Sequence, residues 1–289
     1  MIVKLLLIII ILSIIFNYKD TFTNTDKKQY ILPKIIYTYY NNIENEPIIQ
    51  VHIDTWKRNL SSDWEIKVIN NTNIYNYVSK EFILKYGYLD VIRFSDFIRL
   101  ELLKKTGGVW IDGGIIITNG KFLDIYYYEM IEKEYDICLY EYPDRTNQNT
   151  QYLENWFFMA PKDSVFINDL YFEFDKANTM GFINYKINVL FNSNVDLSKT
   201  IGYENGTYLM QHAIINYLHT IGKKYKKNIK NANHSMFKLQ NHYKWNVEDT
   251  VSFLENNNNW SQYYAIKLTG VFRKGIHNKS KYIMNLHEI

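Results

Sequence analysis

Apolar residues follow three rhythms along this chain: one unbroken run at the start, then short β-branched and aromatic runs alternating with stretches in which apolar positions recur every three or four residues. Leu5 to Phe16 is apolar except for Ser13, a little shorter than the ~20 residues that comfortably cross a bilayer. No small-residue cleavage site follows it. The expectation is an uncleaved signal anchor over residues 1–18, the alternative being a removed signal peptide. Lys4 lies on one flank and Lys19, Lys27 and Lys28 on the other, so the positive charges do not fix its orientation. NYKDTFTNTDKKQ, from Asn17, reads as a polar tether over 19–30, and the folded domain is expected over 31–289.

The short runs then predict a sheet. YILPKIIYTYY, β-branched and aromatic after Pro33, reads as a first strand; TWKRNLSSDWEIKVIN gives a helix carrying Trp56, a turn at Ser61-Ser62-Asp63 and a second strand at Trp64 to Ile69. NIYNYVSKEFILKYG has helical spacing and stops at Gly87. Strand, helix, strand, helix predicts an α/β fold with parallel neighbours, whose ligands sit at the carboxyl ends of the strands. YDICLYEY and NWFFMAP read as further strands, SVFINDLYFEFDKAN and TYLMQHAIINYLHTIG as helices. No internal repeat divides 31–289, so one large domain is expected.

SDFIRLELLKKTGGVWIDGGIIIT, Ser95 to Thr118, is the least ordinary stretch. Ser95 can cap a helix, Asp96 suits its first turn, and Lys104-Lys105 suit the last turn before Gly107. Phe94, Phe97, Ile98, Leu100, Leu102 and Leu103 leave a narrow polar strip carrying Asp96 and Arg99, three apart on one side. A buried acid and base need partners: each other, or a ligand. Val109-Trp110-Ile111 reads as a short buried strand delivering Asp112 either to a ligand-binding rim or, as a turn former, to Gly113. Gly113 and Gly114 carry no side chain and let a ligand approach the backbone.

Charge and composition narrow the chemistry. The 33 Lys and Arg against 30 Asp and Glu leave +3, with no dense basic stripe, which excludes nucleic acid as a partner. A lone cysteine, Cys138, excludes an intramolecular disulfide and a cysteine-based zinc site, and within YDICLYEY it reads as a small core residue. The phosphate loop and the early G-x-G-x-x-G of other nucleotide enzymes are absent. Six N-x-S/T sequons, beginning at Asn59, Asn70, Asn205, Asn233, Asn259 and Asn278, would suit a lumenal domain; chance in an asparagine-rich chain accounts for them equally.

LPKIIYTYY, Trp56, SDFIR a short helix ahead of GGVWID, and YAIKLTG near the end together resemble the capsular polysaccharide synthesis family of sugar transferases, a relative of the DXD-type glycosyltransferases. The resemblance runs from about Ile31 to Gly270 and is most specific in Ser95-Asp96-x-x-Arg99 plus Gly107-Gly108-x-Trp110-x-Asp112; NWFFMAP, Asn155 to Pro161, and YLMQH, Tyr208 to His212, match weaker blocks. It implies a single GT-A-like nucleotide-sugar-binding domain around a mixed, mostly parallel sheet. It also implies a nucleotide-sugar donor, a glycan, lipid-linked saccharide or protein acceptor, and a divalent cation, Mn2+ or Mg2+. Asp112 falls on the first acid of the DXD motif, which bridges metal and donor diphosphate, and Asp96 and Arg99 fall where relatives hold the donor sugar and ribose. Gly113 and Gly114 would leave room for the diphosphate. The second DXD acid is replaced by Gly114, so a further metal ligand is sought at His277 or His242. Tyr37 and Trp56 either stack on the nucleotide base or pack in the core. Asn155, Trp156 and His212 are further site candidates, His212 equally readable as a core histidine, and Glu141, Asp144 and Glu154 are candidate acceptor contacts. The expected protein is a single-pass membrane glycosyltransferase with a lumenal domain. Gly114 motivates the alternative, a non-catalytic relative that binds a nucleotide or glycan.

Overall fold

In the computed structural model, which describes residues 29–147, 150–200, 207–257, 260 and 262–288, the runs rich in β-branched and aromatic residues form the central sheet. Strands β1 (Ile35–Tyr39) and β2 (Glu65–Ile69) pair in parallel, Ile35 opposite Glu65 and Tyr39 opposite Ile69. A parallel pair needs a crossover, and helix α1 (Pro47–Asn59) supplies it. On the other edge of β1 lies β3 (Gly108–Ile111), parallel to it, with Tyr37 opposite Trp110. The strands β5 (Ile137–Glu141), β6 (Leu153–Ala160) and β7 (Lys227–Asn231) complete the six-stranded order β2-β1-β3-β6-β5-β7. β5/β7 is parallel, while β6 runs antiparallel to both β3 and β5. The result is a mixed α/β fold with a mostly parallel sheet. A separate antiparallel ribbon pairs β4 (Ile115–Ile117) with β8 (Ala265–Lys267), Ile115 opposite Lys267.

The remaining helices are α2 (Lys80–Tyr86), α3 (Val91–Thr106), α4 (Lys121–Lys133), α5 (Val165–Met180), α6 (Phe182–Tyr185) and α7 (Met210–Thr220), followed by α8 (Lys238–His242), α9 (Val247–Asn256), α10 (Gly270–Gly275) and α11 (Lys279–His287). Two of the apolar clusters among the described residues bear on the site. Phe97 and Leu100 of α3, Phe166 and Phe174 of α5 and Ile214 of α7 pack with Trp110 and Phe158 of the sheet. The other core joins Val51 of α1, Ile116 of β4, Ile266 of β8, Leu254 of α9 and Tyr282 of α11. The ribbon is therefore clamped against α1 by the second core.

Helix α3 begins earlier than its sequence implies. Asp90, not Ser95, is the cap, its carboxylate accepting from the backbone N–H groups of Ile92 and Arg93. Two good capping residues stand five apart, and the earlier one wins because Arg93 and Phe94 gain buried positions as helical residues. The shift adds a turn and sets Ser95 in the interior of the helix. The far end stops where expected: Gly107 and Gly108 hold φ of 71° and 113°, and a Cβ there would lie 2.4 Å from the Lys162 nitrogen and 2.7 Å from the Ile35 oxygen. The predicted helix over Asn73 to Gly87 is in fact a 3-10 turn at Ile74–Asn76 followed by α2.

The apolar run over 1–18 and most of the tether lie outside the described residues. Among the described residues no helix is long and apolar enough to cross a membrane. Of the sequons, Asn70 is buried, its amide donating to Glu44 at 3.0 Å, and the Asn59 amide donates to Thr55 and Ile117 carbonyls. Cys138 is buried and free, as expected of a small core residue.

Phe97 is fully buried and stacks on Tyr86 with ring centroids 3.9 Å apart. Phe97→Ala is expected to lower unfolding free energy by about 3–5 kcal/mol, measured by denaturant titration; a loss under about 1 kcal/mol would mean that α3 is not the pillar of this core.

Candidate active site

The sheet's carboxyl edge is where the charged residues converge. β3 is buried at every position, and Asp112 follows it directly, its backbone N–H donating to the Trp156 carbonyl of β6 at 3.0 Å. Because β6 runs the other way, its early residues Glu154, Asn155 and Trp156 lie at this same edge. Helix α3 brings Asp96 and Arg99, α7 brings Gln211, and the register of the β4/β8 ribbon brings Lys267.

These groups form one network. Arg99 donates from Nη1 to Asp96 Oδ1 at 2.9 Å and to Gln211 Oε1 at 3.0 Å, and from Nη2 to Asp112 Oδ1 at 3.3 Å. Its guanidinium lies 4.9 Å from the Trp110 ring centroid. Asn155 ties the base of the network, donating to Asp96 Oδ1 at 3.3 Å and Gln211 Oε1 at 2.9 Å. Arg93 adds a longer ion pair to Asp96 at 3.9 Å. Asp112 accepts from Trp110 Nε1 at 2.9 Å and, through Oδ2, from Lys267 Nζ at 2.9 Å. Thus Asp96 and Arg99 do satisfy each other, and the same guanidinium also reaches Asp112.

The two acids titrate in opposite directions. Burial pushes the Asp96 carboxyl above its ordinary value, with Arg99 and Arg93 only partly compensating. Burial acts the same way on Asp112, but the Lys267 ammonium, the Arg99 guanidinium and the Trp110 N–H outweigh it and hold that carboxyl below the ordinary range. Lys267 is lowered by its burial, against the pull of Asp112. Asp112 is the more accessible acid, its side chain 30% exposed against 6% for Asp96.

A cavity of about 290 Å³ opens over this network, lined by Tyr39, Tyr40, Asp96, Arg99, Asp112 and Arg273 among others, with Gly113 and Gly114 in its wall. Lys267 and Tyr208 belong both to it and to a neighbouring cleft of about 750 Å³. That cleft is aromatic, walled by Tyr142, Trp156, Phe237, Trp245 and Phe272, with Glu154 on its surface. Behind Glu154 stands His212, Nε2 at 3.3 Å from Glu154 Oε2 and ring against Tyr152. Lys244 and Trp245 both hold positive φ, 50° and 61°. Non-glycine residues rarely adopt this conformation, and here it sets an indole in the cleft wall.

Other expected positions fall elsewhere. Tyr37 is buried, its hydroxyl bonded to Thr106 Oγ1 at 3.0 Å, and Trp56 is fully buried with Nε1 donating to the Ile115 carbonyl at 2.7 Å. Neither lines the cavity; in a chain with 26 tyrosines and 16 phenylalanines most aromatic residues are core. His277 is exposed, its backbone N–H bonded to Glu255, and His242 stands exposed at the end of α8, so neither reaches Asp112 as a ligand. Glu141 accepts from Thr146 and Asp144 from Asn233, and neither lines the two cavities. Lys267, Arg273, Gln211 and His52 were missed. Lys267 had a signal, a lone charge in the apolar strand YAIKL.

The family model for capsular polysaccharide synthesis proteins matches residues 11–267, running from the apolar N-terminal segment to Lys267 itself. The chain belongs to that family. Membership in the capsular polysaccharide synthesis family supports a glycosyltransferase function. Among solved structures, PaToxG glycosyltransferase aligns with a TM-score of 0.41 at 13% identity, over 94% of this chain and 92% of that one. GlyE, a glycosyltransferase of Streptococcus pneumoniae TIGR4, aligns with 0.40 at 9% identity, over 89% of this chain and 63% of that one. No curated protein sequence matches the chain.

For a capsular polysaccharide synthesis protein with a DXD-like acid, the cation implied by the wider relatives has to fit these residues, and it does not. Even a cation that keeps several waters and takes phosphate oxygens from its substrate needs one or two free carboxylates, yet both Asp112 oxygens already accept from N–H donors, two of them cationic, and Asp96 is paired to Arg99 and Arg93. Among the described residues no three His, Cys, Asp or Glu side chains gather to hold a metal. Nor does the loop leave room for a second acid: a Cβ on Gly113 would lie 2.9 Å from Ile49 Cγ2, and one on Gly114 2.7 Å from the Leu268 oxygen.

The loop holding Asp112 leans on His52, fully buried on α1, whose Nδ1 lies 3.0 Å from the Gly113 carbonyl and Nε2 2.6 Å from the Tyr282 hydroxyl. A carbonyl only accepts, so Nδ1 carries the proton and Nε2 accepts from Tyr282. Burial holds this neutral ring at a pKa of about 3. The unfolded chain therefore binds the proton first as pH falls below about 6.5, and stability drops by up to about 1.4 kcal/mol per pH unit from this group alone between there and about 3. Denaturant titrations from pH 7 to 4 are expected to show a shallower decline for His52→Gln than for wild type; equal slopes would remove His52 from the account.

Proposed function

We propose that this protein is a glycosyltransferase that takes a nucleotide-sugar donor in the cavity at Asp112 and an acceptor sugar in the adjoining aromatic cleft. The observation that carries this reading is the junction of the two spaces at Lys267, beside a carboxylate at the carboxyl edge of the sheet. Open α/β sheets bind ligands at that edge. The domain is read as GT-A-like, with Tyr39 and Tyr40 beside the donor, Asp96 and Arg99 oriented toward its sugar and ribose hydroxyls, and the diphosphate among Arg99, Lys267 and Arg273.

The transfer breaks the bond from the sugar's anomeric carbon to the diphosphate oxygen, which keeps the electron pair, and forms a bond to an acceptor hydroxyl oxygen. The hydroxyl proton passes to a base, and Glu154 is the carboxylate in the acceptor cleft placed to take it, oriented by His212. Asp112 acts by fixing Arg99 and Lys267 where negative charge grows on the leaving diphosphate. Trp156 and Trp245 offer flat apolar faces to a sugar ring, the ordinary way an aromatic wall binds a saccharide's C–H face. The apolar N-terminal segment would tether this activity to a membrane, where a glycan or lipid-linked acceptor is presented.

Two measurements test this. Nucleotide release by the full-length protein from a panel of UDP-, GDP- and dTDP-sugars, supplied with oligosaccharide acceptors, should fall by about 10²-fold or more in Asp112→Asn. Release at the wild-type rate would defeat the assignment. The alternative, a binding protein without turnover, predicts no release by wild type but undiminished glycan binding in Asp112→Asn. Trp245→Ala should raise KM for the acceptor about tenfold or more with KM for the donor unchanged; the opposite pattern would exchange the two subsites.

A further inference from the structure

Resting on that reading, we propose that Lys267 replaces a divalent cation: it is the fixed positive charge that neutralises the donor's diphosphate, so that donor binding and transfer proceed without metal. Three independent features place it there. First, Lys267 is tied down as a ligand would be. Its backbone N–H donates to the Met236 carbonyl at 2.9 Å, its own carbonyl accepts from Gln240 Nε2 at 2.6 Å, and the strand register sets it opposite Ile115, three residues beyond Asp112. The side chain is only 9% exposed, and of its three ammonium N–H donors one is taken by Asp112 Oδ2. The remaining donors are available to oxygens of a ligand in the cavity it lines.

Second, the position that would carry the second metal-binding acid is filled by other groups. A Cβ on Gly114 would lie 2.5 Å from Arg273 Nη1 and 2.7 Å from the Leu268 backbone oxygen, and Arg273 Nη1 itself donates to that oxygen at 2.6 Å. The backbone contact is rigid, being locked by the Leu268 N–H to the Gly114 carbonyl at 2.7 Å. An acid at 114 is thus excluded by the fold, and a guanidinium occupies the space instead.

Third, the charge balance is that of an anion site. Arg99, Lys267 and Arg273 line the cavity against Asp96 and Asp112, and Asp96 is already paired to Arg99 and Arg93. A cavity holding a divalent cation needs uncommitted carboxylates; here both carboxylates are paired and the three lining cations outnumber them, which suits a nucleoside diphosphate. When the anomeric carbon to oxygen bond breaks, the electron pair left on the diphosphate meets an ammonium that is already in place and needs no reorganisation.

Calorimetric titration of the full-length protein with UDP, GDP and dTDP, each in EDTA and again in Mn2+, tests this without relying on turnover. One nucleoside diphosphate is expected to bind with a Kd that agrees within about twofold between EDTA and Mn2+. Lys267→Met should weaken that binding about tenfold or more in both conditions, and Lys267→Arg, which keeps the charge, should stay within about threefold of wild type. Binding that appears only with Mn2+, or that is unchanged in Lys267→Met, would overturn the inference while leaving a nucleotide-sugar transferase standing. Failure of all three nucleotides in both conditions would overturn the inference together with the donor-site reading. Thermal unfolding of each variant at pH 7 confirms that the loss is one of binding.

Discussion

The ion pair between Asp112 and Lys267 joins the carboxyl end of a central strand to a short ribbon strand 155 residues later. Removing one member of such a pair leaves a poorly hydrated charge, a loss of about 3–5 kcal/mol where burial is complete. With Arg99 on the other oxygen, Asp112 couples α3, β3 and β8 into one charged platform. The surrounding structure can be read as the means of holding that platform dry and still.

Each layer contributes to it. The buried strand β3 fixes where Asp112 emerges; the aromatic packing of Phe97 on Tyr86 and Phe174 fixes α3, and with it Arg99. The second core presses the β4/β8 ribbon onto α1, so Lys267 approaches from a rigid element and not from a loop. His52 reaches from α1 to the Gly113 carbonyl and supports the turn from below. The opposed shifts of the two acids follow from this construction. Asp96 is deeper and raised by burial, while Asp112, nearer the surface, is held charged by its cationic neighbours.

Local signals in the sequence carried much of this and long-range ones did not. Strands β1, β2, β5 and β6 were legible because their β-branched and aromatic runs are short and bounded, and the Asp96, Arg99 and Asp112 cluster because charge inside an apolar pattern demands a partner. The antiparallel insertion of β6 between β3 and β5 was not legible, since nothing in a strand's own residues names its neighbours. For the same reason the meeting of Lys267 with Asp112 stayed hidden, although a lysine between Ile266 and Leu268 was itself a sign of a buried charge. Tyr37 and Trp56 stayed open between stacking and packing because a stacking face and a core ring look alike in sequence, and burial decides for the core. Gly113 and Gly114 read as room for a ligand; they line the cavity, and the fold also needs them bare because Ile49, Leu268 and Arg273 take the space a side chain would fill.

On the proposed reading, what distinguishes this site is that a lysine, Lys267, stands opposite the donor's phosphates. The most direct measurement is a crystal structure of the protein grown with its nucleoside diphosphate and Mn2+, with anomalous data collected at the manganese edge. The account predicts diphosphate oxygens within hydrogen-bond reach of Lys267 Nζ and no anomalous peak at Asp112. A manganese peak within about 2.5 Å of an Asp112 oxygen, with Lys267 displaced from it, would contradict the account.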